Sequence, residues 1–136
     1  MSELHIDDFY KDASKILLQL YKNFPKKITI LVEDIAGPDA PDEFGLACER
    51  HQACFGAMIW LAEAGYLSYA DTIRQEALDQ AVLSHKAFTL LTAAPTFDTD
   101  NPDSNIKHLR QALKAGSSML LEKSMKALLA QAHTFS

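Results

Sequence analysis

Trp60-Leu-Ala-Glu-Ala-Gly-Tyr-Leu67 and, further on, Ala81-Val-Leu-Ser-His-Lys-Ala-Phe-Thr-Leu-Leu91 decide how this chain is read. The first stretch is the end of a helical pattern, closed by Gly65 at a helix C-cap and followed by extended Tyr66-Leu-Ser-Tyr69. In the second, Ser84 is placed to cap a short helix from His85 to about Thr92, with Phe88, Leu90 and Leu91 apolar. Working backward from Gly65, a long helix is predicted from about Leu46 to Ala64. Cys54, Phe55, Met58, Ile59, Leu61 and Ala62 form its apolar side. Its opposite face shows Glu49, Gln52, Ala53, Gly56, Trp60 and Glu63. A tryptophan is out of place in that company.

Upstream, Ile6, Phe9, Tyr10, Ala13, Ile16, Leu17, Leu20, Tyr21 and Phe24 recur at the helical period, with Asp7 and Asp8 suited to the helix start and Pro25 ending it. Ile28-Thr-Ile-Leu-Val32 is β-branched and short, and reads as a strand. Residues 33–45 carry five acids, two prolines and two glycines without a base, the composition of an acidic loop. Residues 70–83 admit two readings: helix by propensity with Asp71 as N-cap, or a hairpin returning through Leu78-Asp-Gln-Ala-Val-Leu83. Residues 93–103 form a loop with Pro95 and Pro102. Ile106, Leu109, Leu113, Leu120, Leu121, Met125, Leu128 and Leu129 then mark a C-terminal helical segment. It is either one helix or two meeting at Gly116.

Composition sets limits on function. With 136 residues, 48% hydrophobic and 23% charged, the chain can bury a core, and disorder is not expected. No apolar run approaches the length that spans a bilayer. Met1-Ser-Glu-Leu-His-Ile-Asp-Asp8 has no basic and apolar leader pattern, so no secretory signal is expected. The net charge of −5 is uneven: residues 1–103 carry 8 Lys/Arg against 17 Asp/Glu, whereas residues 104–136 carry 5 against 1. An acidic body with a basic tail is a poor match for a phosphate backbone, which needs positive potential.

The order helix, strand, helix, strand, possible wing, strand, helix resembles a winged-helix domain. Glu63-Ala-Gly-Tyr-Leu67 and the residues around Leu83 to Leu91 are similar to the wing entry and exit of MarR-type regulators, over roughly residues 46–92. The resemblance implies a mainly α fold with a small β-hairpin or wing: one domain over 1–136, a winged-helix-like body at 5–92, and a long C-terminal helix at 104–133 that serves dimerisation. It further implies a recognition helix at 46–64. That helix departs from a DNA reader: it offers Arg50, Gln52 and His51 near its start, then Gly56, Trp60 and Glu63. The first helix of a helix-turn-helix pair is not evident before it.

Other constellations have plainer explanations. Cys48 and Cys54, six residues apart on a helix, lie roughly 9 Å apart and cannot form a disulfide, which fits a cytoplasmic home. With His51 they diverge around the helix and cannot close a tetrahedral metal site, so they read as core or boundary cysteines. His5 beside Asp7 and Asp8 reads as a solvated helix start, and His85 and His108 as surface residues. No nucleophile with a base, phosphate loop or paired carboxylates is visible, so no catalytic residue, metal or cofactor is expected.

The expectation is a non-enzymatic, cytoplasmic interaction protein, a homodimer with a possible protein partner and no membrane association. Its interface candidates are Trp60, Leu109, Leu113, Leu120 and Leu128. The first alternative is a DNA-binding transcriptional regulator using Arg50, Gln52, Arg74, Lys107, Arg110 and Lys114. The second is a small-molecule binder or enzyme subunit.

Overall fold

The computed structural model describes residues 4–38, 48–93 and 104–132, with side chains from residue 6 onward. The acidic loop at 39–45, the start of the helix expected from Leu46, the proline-containing loop at 94–103, residue 133, and the expectations for Met1 and the His5 side chain lie outside the described residues.

The element at the centre is helix α1 (Leu4–Asn23). Its Ala13, Ile16, Leu17 and Leu20 are wholly enclosed, because α3 (Glu49–Glu63), α5 (Asn105–Ala115) and α6 (Ser118–Gln131) pack around it. Strand β1 (Ile28–Leu31) follows, and the chain turns directly into α2 (Val32–Ala36). The expected strand therefore ends one residue early, and the supposed acidic loop begins as a one-turn helix. Val32 and Ile35 point that helix into the core, Gly37 ends it at φ 92°, and Lys15 of α1 reaches the Ile35 carbonyl at 3.4 Å. Helix α2 packs against α3, so a short helix does precede the long one.

Helix α3 ends as its sequence dictates. Gly65 takes φ 89°, the Tyr66 N–H bonds the Leu61 carbonyl at 2.8 Å, and the Gly65 N–H bonds Ala62 at 3.1 Å. This is the Schellman closure that a glycine C′ residue permits. The ambiguity at 70–83 is resolved as a hairpin: β2 (Leu67–Ser68) and β3 (Asp71–Ile73) both pair antiparallel with β4 (Ala77–Leu83). Strand β1 pairs with the other side of β4, giving the order β1-β4-β2. The fold is thus mainly helical with a small antiparallel sheet.

Ser84 caps α4 (His85–Thr92), its Oγ accepting from the Ala87 N–H at 3.1 Å and donating to the Gly65 carbonyl at 2.6 Å. Beyond it, the long C-terminal helix expected at 104–133 is two helices. Gly116 adopts the left-handed φ of 67°, and Ser117 caps α6 by accepting from the Leu120 N–H. The two fold back as a hairpin on α1 and α4. Asn105, buried, pins this hairpin by donating to the Leu90 carbonyl at 2.8 Å and to Gln131 Oε1 at 3.0 Å.

This corrects part of the dimer expectation. Leu109 and Leu128 are fully enclosed within the chain and cannot serve a partner in this fold. Ile106, Leu109, Ala112, Leu121, Met125 and Leu128 of α5 and α6 instead join the core around α1. His108 is also buried rather than on the surface. Among the described residues, no helix is long and apolar enough to cross a membrane.

Candidate protein-interaction surface

The outer side of α3 is one straight stripe. Glu49, Ala53, Gly56, Trp60 and Glu63 are spaced by four, three, four and three residues, which stacks them along the helix axis. All five are exposed, while His51, Cys54, Ala57, Met58 and Leu61 face inward. The stripe is acidic at both ends and apolar or small between them. A Cβ added at Gly56 would meet nothing within 4 Å, so packing within the chain does not require a glycine there.

Trp60 is held in place although 44% of it is exposed. Phe9 of α1 meets it edge-on at 5.3 Å and 88°, and Tyr66 stacks on it at 6.1 Å and 24°. Tyr66 is itself buried, which raises its pKa, and the Lys86 ammonium sits 4.7 Å from its ring centre. Lys86 also donates to the Ala64 carbonyl at 3.1 Å, tying the aromatic row to the end of α3. Beside Trp60, Ile6, Phe9, Ala53, Gly56 and Ala57 line an open apolar groove of about 430 Å³.

Arg50, in the first turn of α3, is held by acids of α1. Arg50 donates from Nη1 to Asp12 Oδ2 at 2.7 Å and from Nη2 to Asp12 Oδ1 at 2.5 Å, with Asp8 3.8 Å from its Nε. The hydrogen bonds to Asp12 raise the Arg50 pKa further, against the opposing effect of burial. One turn along, Cys54 is pushed up to about 12, first by burial and then by the Asp12 charge, so its thiol stays protonated and unreactive. The core-or-boundary reading of the cysteines holds: Cys54 is buried, Cys48 is half-buried, and neither is in a disulfide. His51 donates from Nε2 to the Gly37 carbonyl at 2.5 Å.

The remaining sequence candidates scatter. Gln52 is exposed on α3, and Arg74 stands at the tip of the β3–β4 hairpin, away from Arg50's ion pair. Lys107, Arg110 and Lys114 line the outside of α5, which packs on α1, α4 and α6. Leu113 is half-buried, whereas Leu120 is 50% exposed and its neighbour Met119 78% exposed. A second cleft, about 280 Å³ and more polar, lies between Asp7, Asp8, Tyr10 and Lys11 of α1 and the α5–α6 turn. Among the described residues no group of three or more His, Cys, Asp or Glu could hold a metal ion.

Sequence reasoning singled out Trp60 but missed Ile6, Phe9 and Met119. Ile6 and Phe9 were counted as core positions of α1. The signal was the width of that helix's apolar arc, which exceeds what its neighbours cover. No family model, curated protein or solved structure compared with this chain matches it.

Proposed function

We propose that this chain is a winged-helix-like module that acts by binding protein, through the α1–α3 face centred on Trp60. The likeness to winged-helix domains is supported by the order α1, β1, α2, α3, β2, hairpin and by the placement of β4 between β1 and β2. In such domains the outer face of the second helix of the pair enters the major groove and supplies donors to base edges.

The observation that carries the reading is the content of that face here. Glu49, Ala53, Gly56, Trp60 and Glu63 offer a base edge no cationic donor, and both ends repel phosphate. Arg50 is committed to Asp12. An exposed tryptophan braced by two other aromatics beside an apolar groove has the make-up of a protein-binding hot spot. Binding rather than catalysis also fits the groups at hand, since Asp12 is occupied by Arg50 and Cys54 is held protonated.

One observation favours a duplex-binding regulator instead: Arg74 is exposed at a hairpin tip, where a wing would meet DNA. Titration of mixed-sequence duplex DNA at low ionic strength separates the two, read by mobility and by emission of Trp60, the single tryptophan. The interaction reading expects no salt-sensitive complex. A tight complex that weakens steeply with salt and is lost in Arg74→Ala overturns it.

A further inference from the structure

We draw no further inference here: the strongest candidate, the open apolar groove between α1 and α3 lined by Ile6, Phe9, Ala53, Gly56, Ala57 and Trp60, carries none because nothing in the structure shows what covers it.

Discussion

Arg50 on α3 and Asp12 on α1 form a two-pronged ion pair, with N···O distances of 2.7 and 2.5 Å around a carboxylate that is 1% exposed. It clamps the helix bearing Trp60 to the helix bearing Phe9, and so fixes one wall of the groove against the other. Arg50→Ala leaves the buried Asp12 charge without its cation, and the expected loss is about 3 kcal/mol of unfolding free energy. Denaturant melts should show it, and the double change Arg50→Met with Asp12→Leu should recover most of the loss. A loss of a few tenths would mean that the pair is solvated.

The Cys54 thiol gives stability an alkaline limit. Its ordinary value is 9.0, and in the folded chain it is pushed up to about 12 by burial. Between those values the unfolded chain releases the proton while the folded chain keeps it. Stability is therefore unaffected by this group below about pH 9 and falls as pH rises through the window, by a few kcal/mol. Cys54→Ala should flatten that slope. In the native state Cys48, half-buried, should react with a thiol reagent well before Cys54.

The hairpin tip carries removable strain. Arg74 and Gln75 have φ of 50° and 60°, and the Glu76 N–H bonds the Ile73 carbonyl at 2.7 Å, the pattern of a type I′ turn. Each non-glycine residue there costs about 1 kcal/mol. Replacing the pair by Asn-Gly should raise the melting temperature, by an amount worth about 1–2 kcal/mol. No gain would show that the turn relaxes in solution.

Gly56 should separate folding from association. Gly56→Ala adds a methyl group that meets nothing within 4 Å, and should stabilise the monomer by about 1 kcal/mol through helix propensity. The same methyl group fills part of the groove floor, so the yield of protein adduct from a photocrosslinker at position 60 should fall. An undiminished yield would remove Gly56 from the contact.

Leu128 and Leu120 make the corresponding pair on α6. Leu128→Ala opens a core cavity, and an expected loss of about 2–5 kcal/mol should lower the melt without addressing the surface. Leu120→Glu should leave the melt of the monomer nearly unchanged. Equal destabilisation by both would place Leu120 in the core.

Much of this was legible in the residues. The buried stripe of α1, the Gly65 closure and the Ser84 cap follow directly from spacing and side-chain chemistry. The hairpin was one of two readings of 70–83, and the residues did not choose between them for two physical reasons. Its turn uses Arg74 and Gln75 where Asn-Gly would announce it, and Gln80 at φ 53° accompanies a bulge that breaks the alternation of β4. Helix α2 was hidden because Val32 continues the β-branched run of β1, while Glu33 and Asp34 open a stretch whose acids, prolines and glycines read as loop. At the site, Trp60 was visible as a misfit, but Arg50 looked like a free cation. Its partner lies 38 residues away, and only the place of Asp12 between Phe9 and Ile16 on an apolar stripe hinted that this carboxylate needed one.

The most direct measurement is photocrosslinking in cells from a benzophenone amino acid at position 60, with each adduct tested for nuclease and protease sensitivity. A discrete adduct that resists nuclease and is removed by protease is the expected result, its mass stating whether the partner is a second copy. An adduct that nuclease removes would place nucleic acid on this face and contradict the proposal.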